Sequence, residues 1–188
     1  MTHQSKLNYQ QVIDKYESIR DVAREVAQDQ LPSILRNSNG ESILKDSISL
    51  NGLNVDCLKE LRKWESSGLR RVAWNWDHVL KKYKPHPKRF ELSIWHNQLF
   101  LCGATIGKPT YSGGKLRLDF IEASPIKSPL SGLIIDIILI AGTAYAKAIG
   151  ATQLRIMHPV NESVKQHYLS KPGFAYNKDN DFCYRDLT

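Results

Sequence analysis

Two stretches of the chain carry side chains able to bind charge. The first, Lys127-Ser-Pro-Leu-Ser-Gly132, joins a strand-like segment ending in DFIEASP to a very apolar helical run from Leu133. The first N–H groups of a helix lack intrahelical acceptors and sit at the positive end of its dipole, so a Gly-containing turn there can hold a phosphate, with Lys127 adding charge. The same run also fits a buried structural helix or a membrane span. The second stretch is Lys59 to Arg89, where ten Lys or Arg face Glu60, Glu65 and Asp77, so that this segment holds the whole net charge of +7. With Trp64, Trp74, Trp76 and Tyr83 interleaved, it can grip phosphates and stack bases. It equally fits a solvated helical face with aromatics buried beneath. His158 and His167 offer imidazoles for a metal or a base, but no third ligand stands at a helpful spacing, so no metal is expected.

The elements that must position these groups follow from periodicity. At 188 residues, 41% hydrophobic and 24% charged, the chain suits one globular domain with a small appendage. Cys57, Cys102 and Cys183 are odd in number and have no C-x-x-C pair, which predicts free thiols in a reducing cytoplasm, Cys102 being buried. The first twenty residues show no apolar h-region, so secretion is not expected. A membrane helix needs about 20 mostly apolar residues. Asp136, Gly142, Thr143 and Lys147 interrupt the run from Leu133, which argues for a central helix packed against a sheet.

Tyr9, Val12, Ile13, Tyr16, Ile19, Ala23 and Val26 recur at helical spacing between Asn8 and about Gln30, with Pro32 as a stop. RNSNGES (36–42) reads as a loop, Val55, Leu58 and Leu61 as a short helix, and Val72, Trp76, Val79, Leu80 and Tyr83 as another. RFELSIWHN, QLFLCGATIGKP and KLRLDFIEASP form a three-strand antiparallel meander. The helix Leu133 to Ile149, the strand TQLRIMHP, a short helix from Asn161 and a closing hairpin complete an α/β domain with a mixed sheet. A helical crossover joins the strand at Gln153 to the one ending at Glu122, which favours parallel pairing of the two.

From Arg89 to the C-terminus this order resembles the GCN5-related N-acetyltransferase (GNAT) superfamily of acyl-CoA-dependent transferases. The family's N-x-x-A-x-x-x-Y segment and G-F pair are matched at Asn161, Val164, Tyr168, Gly173 and Phe174, with one extra residue between Tyr168 and Gly173. Its pyrophosphate loop, Q/R-x-x-G-x-G/A, aligns with Lys127 to Gly132. Here Leu130 replaces the middle glycine and would add a side chain where backbone approaches phosphate, and Pro129 removes a donor.

The resemblance implies a mixed, mostly antiparallel sheet flanked by helices, with residues 1–53 as a helical extension to an acyltransferase-like domain at 54–188, the two forming one compact unit. It implies acetyl-CoA as co-substrate. The backbone of Phe120, Ile121 and Glu122 would pair with the pantetheine arm as an added strand does. Lys127, Ser128, Ser131 and Gly132 would surround the pyrophosphate, and Asn161 would touch the pantetheine. Tyr168 would protonate the leaving thiolate, and Glu122 or Asp119 would serve as base, on opposite sides of the strand by simple alternation.

A cytoplasmic N-acyltransferase, monomeric or homodimeric, is therefore expected. The basic segment, through Arg70, Arg71, Lys81 and Lys82, suggests an amine carried on nucleic acid, such as aminoacyl-tRNA or a nucleobase. The alternative is a non-catalytic protein of the same fold whose basic helices bind nucleic acid or a protein partner.

Overall fold

The computed structural model describes residues 8–187. Helix α1 (Tyr9–Gln30) opens on a capping box in which the Asn8 side chain accepts from the Gln11 N–H and the Gln11 side chain accepts from the Asn8 N–H. Then come a small hairpin, β1 (Ile34–Arg36) and β2 (Ser42–Leu44), strand β3 (Ile48–Asn51), and helices α2 (Val55–Ser66) and α3 (Trp76–Tyr83). The meander is β4 (Phe90–His96), β5 (Phe100–Pro109) and β6 (Lys115–Ala123). Helix α4 (Ile134–Ala148), β7 (Gln153–Met157), α5 (Glu162–Leu169), β8 (Ala175–Asn177) and β9 (Phe182–Asp186) complete the order.

The main sheet runs β3-β4-β5-β6-β7-β9-β8. Its pairings are antiparallel except β6 with β7, which are parallel and joined by α4 as the crossover predicts. The meander and the closing hairpin stand where periodicity puts them. The segment before residue 53 is more than a helical extension: β3 pairs with β4 as the sheet's edge, and α1 packs on α4. Within α1 the expected apolar stripe drifts. Val26 is exposed, whereas Arg20 and Arg24 are buried, Arg20 donating to the carbonyls of Pro87 and Arg89 and pairing with Glu17.

Helix α4 lies between the sheet and α1, which explains why it is apolar nearly all round: Ile134, Ile135, Ile137, Ile138 and Leu139 are all buried. Among the described residues no helix is long and apolar enough to cross a membrane. The opposite face of the sheet carries α2 and α3, whose Leu61, Trp64, Trp76, Val79 and Tyr83 pack on Trp95, Leu101, Ala104 and Ile106.

An irregularity in β6 decides where the sheet opens. Leu118 pairs with Gly107 and Phe120 with Ile106, so Asp119 is an extra, bulged residue in β6. Gly107 is required there, since a Cβ would lie 1.8 Å from the Arg117 carbonyl oxygen. Parallel pairing with β7 ends at Leu118 and Ile156, immediately before the bulge. Past it, β6 keeps β5 as a partner and its β7-facing edge is open.

Candidate active site

A cavity of about 700 Å³ fills the gap beyond the last β6–β7 pair, a volume typical of small-molecule sites. Its walls are β6 from Leu118 to Ala123, the loop Ser124 to Gly132 with the start of α4, and Met157 to Val160 with Val164, His167 and Tyr168 of α5. Leu69, Arg71, Val72 and Trp74, from the loop between α2 and α3, close one side.

The loop into α4 is built to present backbone. Leu130 is fully buried in the core. It extends the series Leu130, Ile134, Ile137, Ile138 at helical spacing, so its side chain points beneath the loop and does not fill the cleft as the missing glycine suggests. The first helical bond that closes α4 runs from the Ile137 N–H to the Leu133 carbonyl. Among the described residues the N–H groups of Gly132, Ile134 and Ile135 meet no acceptor.

The N-terminal hairpin braces this loop: the Ser38 N–H donates to the Ser131 carbonyl (2.8 Å), the Ser38 and Ser131 hydroxyls lie 2.9 Å apart, and Asn37 Nδ2 donates to the Pro129 carbonyl (3.0 Å). Gly132 takes φ +82° there, with the Ser38 Cβ only 3.0 Å from where its own Cβ would stand. Ser128 is buried and accepts from the Leu130 N–H, while Lys127 is exposed at the rim.

Tyr168 reaches the cleft from α5. It is 8% exposed, and its hydroxyl has no partner among the described residues. Burial, with Cys183 beside it, pushes its pKa far above the ordinary tyrosine value, so it stays protonated. Two side chains of the wall, Trp74 and Ser124, each hold a buried polar atom, Nε1 and Oγ, that has no partner among the described residues.

The two carboxylates expected as bases are already engaged. Both Glu122 oxygens accept from the Arg70 guanidinium at 2.7 Å, and Oε2 also accepts from Trp76 Nε1 at 2.7 Å. Asp119 accepts from the Tyr83 hydroxyl at 2.6 Å and from Arg117. Strand alternation puts them on opposite faces. The bulge at Asp119 breaks that alternation and turns both toward α3, along with Phe120, whose ring packs edge-on to Trp74 and Tyr83.

Asn161 caps α5 by accepting from the Val164 N–H at 2.9 Å. It stands just outside the lining, which its neighbours Val160 and Val164 join. The basic segment divides. Arg70 is not an exposed phosphate contact, because its side chain is 9% exposed and bound to Glu122, whose hydrogen bonds raise the guanidinium above its ordinary pKa. Arg71 lines the cleft. Lys81 and Lys82 face solvent on the last turn of α3. Trp64, Trp76 and Tyr83 are buried core residues, and the half-buried Trp74 lines the cleft, so three of the four interleaved aromatics belong to the core and the four form no exposed stacking platform. Among the described residues no group of three His, Cys, Asp or Glu is placed to hold a metal.

Sequence reasoning passes over the Arg70–Glu122–Trp76 cluster, the hairpin brace and the pairing of His158 with Asp181. The partners lie far apart in the chain, 52 residues in the case of Arg70 and Glu122, and only the fold joins them.

No family model matches the sequence, and neither does any curated protein sequence. Solved structures do match the fold. An acetyltransferase of the GNAT family from Staphylococcus aureus Mu50 aligns with a TM-score of 0.59 at 15% identity, covering 75% of this chain and 99% of that one. The spermidine N-acetyltransferase of Vibrio cholerae, solved with CoA and spermine, aligns with a TM-score of 0.56 at 13% identity over 76% and 96%. Ard1 of Thermoplasma volcanium gives 0.56 at 11% over 76% and 99%. The chain therefore has the GNAT fold.

Proposed function

We propose that the protein is an acyl-CoA-dependent N-acyltransferase, with acetyl-CoA as donor and a primary amine as acceptor. The observation that carries this reading is the coincidence of an open β6 edge, free N–H groups at the start of α4 and a buried, protonated Tyr168 on one cavity of the GNAT fold. The N–H groups of Gly132, Ile134 and Ile135, with Lys127 at the rim, suit a pyrophosphate. The unpaired edge of β6 from Asp119 to Ala123 suits the amide-bearing pantetheine arm. Asn161 holds the turn of chain that faces that arm.

Acyl transfer forms a C–N bond and breaks the C–S bond of the thioester, and the departing thiolate needs a proton. Tyr168 supplies it from its hydroxyl. Glu122 and Asp119, locked to Arg70, Trp76, Tyr83 and Arg117, act as braces for the bulged strand. With Trp64, Trp76 and Tyr83 buried and Trp74 turned to the cleft, the basic segment loses most of the base-stacking argument for a nucleic-acid acceptor. The paired carboxylates leave Arg71, which has no ion pair among the described residues, as a charge on the α2–α3 side of the cleft, which favours an amine that also carries an anionic group.

The test is transfer of labelled acetate from acetyl-CoA to a series of primary amines, with and without a carboxylate or phosphate. Activity highest on the anionic members supports the reading. Activity confined to tRNA or DNA would restore the nucleic-acid acceptor, and absence of transfer with intact acetyl-CoA binding would favour a binding protein of this fold.

A further inference from the structure

We infer that His158, oriented by Asp181, is the general base of the proposed acyl transfer, an assignment that rests on that reading. His158 lies at the end of β7 and lines the cleft that Tyr168 also lines. Among the described residues four non-glycine positions have positive φ: Asn97, Gln98, His158 and Asp181. Asn97 and Gln98 form the turn between β4 and β5, and Asp181 ends the turn between β8 and β9, places where left-handed residues are usual. His158, at φ 47°, lies in no hairpin turn.

Asp181 holds it there. The His158 N–H donates to the Asp181 carbonyl at 2.9 Å, and the ring Nδ1 lies 3.2 Å from Asp181 Oδ2. Asp181 is steadied in turn by the Tyr176 hydroxyl, which donates to Oδ1 at 2.8 Å. A strained residue held by a dedicated chain of bonds at the wall of a cavity is a sign of function.

The chemistry follows from the tautomer. A carboxylate beside Nδ1 requires a proton on that nitrogen, which leaves Nε2 with the lone pair. As the amine nitrogen forms its bond to the thioester carbonyl carbon, its proton passes to Nε2. The C–S bond breaks and the sulfur takes the Tyr168 proton. The imidazolium then returns its proton to solvent, to which its side chain is 68% exposed, and Tyr168 is reprotonated through the open cleft. Beside the imidazole stands Asp181, which is itself faced by Tyr176 and by Lys165, the latter lying 4.6 Å over the Tyr176 ring and paired with Glu162.

The rival is His167, which also lines the cleft. Its ring has no orienting partner among the described residues, and burial, then Lys171, lowers its pKa. Glu122 and Asp119 are excluded by their ion pairs.

The experiment compares wild type with His158→Gln, Asp181→Asn and His167→Gln. Acetyl-CoA binding is read by thermal shift, and thiol release by pH profile with the best substrate among glycinamide, taurine, phosphoethanolamine and spermidine. His158→Gln should lower kcat/KM by about 10²- to 10⁴-fold, abolish the acid limb and leave the acetyl-CoA shift unchanged. Asp181→Asn should lower kcat/KM about tenfold, because the imidazole loses the carboxylate that orients it. His167→Gln should keep the limb. His158→Asn, which tolerates the left-handed backbone, should repeat the loss and so separates chemistry from misfolding. Turnover within twofold of wild type in His158→Gln, or an acid limb that persists in it and vanishes in His167→Gln, overturns the assignment. A wild type that binds acetyl-CoA but transfers to none of these amines at any pH, or that does not bind it, removes the acyltransfer reading and the base with it.

Discussion

The two faces of the central sheet solve different problems. On one, α1 and α4 bury a continuous, mainly aliphatic core, with the buried Arg20 and Arg24 of α1 as its charged members, and α4 can be apolar almost all round because the sheet and α1 enclose it. On the other, α2 and α3 bury aromatics together with charge: Arg70–Glu122–Trp76 and Tyr83–Asp119–Arg117 fasten α3 and the loop before it to β6 at its bulge. The apolar face supplies stability through area, which tolerates small changes of shape. The polar face supplies a fixed geometry, and buried polar clusters fail sharply when one member is lost. The cleft opens where the two meet.

That contrast can be broken most forcibly at the bulge itself. Gly107→Ala would set a methyl group against the Arg117 carbonyl, and it should lower stability by about 4 kcal/mol or more, in the range reserved for such named defects; chemical denaturation measures it, and a loss under about 1 kcal/mol, the size of an ordinary substitution, would mean the bulge relaxes freely. Glu122→Gln should come next at about 3–5 kcal/mol, because it strands the Arg70 guanidinium in a buried site. Replacing Arg70 by Met and Glu122 by Leu, singly and together, should show a favourable coupling that the double-mutant cycle reads directly, with part of the loss persisting in the double variant because Trp76 Nε1 has lost its acceptor.

On the apolar face the matching probe, Ile137→Val, should cost about 0.5–1.5 kcal/mol. If it proved as damaging as Glu122→Gln, the distinction between the faces would fail. Tyr168→Phe should barely change stability, since the hydroxyl has no partner among the described residues, yet lower turnover by about ten- to a thousandfold with acetyl-CoA binding retained. Smallest of all, Lys81→Gln with Lys82→Gln should stay within about 0.5 kcal/mol, as exposed substitutions do. A large drop in tRNA binding, steep in salt, would give those lysines the role the structure does not otherwise suggest.

Legibility in the sequence divides along the same line. The α4 face can be read because aliphatic periodicity over fifteen residues is a strong signal, and the meander because alternation runs seven to ten residues per strand. Strands β1, β2 and β3 escape such a reading because three or four residues cannot display a period. Leu130 looks like an obstruction at the phosphate loop when set against the family pattern, whereas its spacing to Ile134, Ile137 and Ile138 places it in the core. Glu122 and Asp119 are misplaced by alternation for one reason: a bulge shifts the pattern by one residue, and its sequence mark is a glycine on the neighbouring strand, Gly107. Asp181 lies in a turn rich in Asn and Asp, which announces a hairpin and not a partner for His158.

All of the proposed chemistry depends on the cleft between β6 and β7 binding acetyl-CoA despite its altered loop. Thermal unfolding with and without acetyl-CoA decides this. A ligand at about a hundred times its Kd adds about 2.7 kcal/mol to the native state, and for a chain of this size each kcal/mol moves Tm by about 2–4 °C. A rise of about 5–10 °C at saturation is predicted, abolished when Gly132→Val, strained at φ +82° and pressed on Ser38, displaces the loop that presents the free N–H groups of α4. An unchanged Tm at millimolar acetyl-CoA would contradict it.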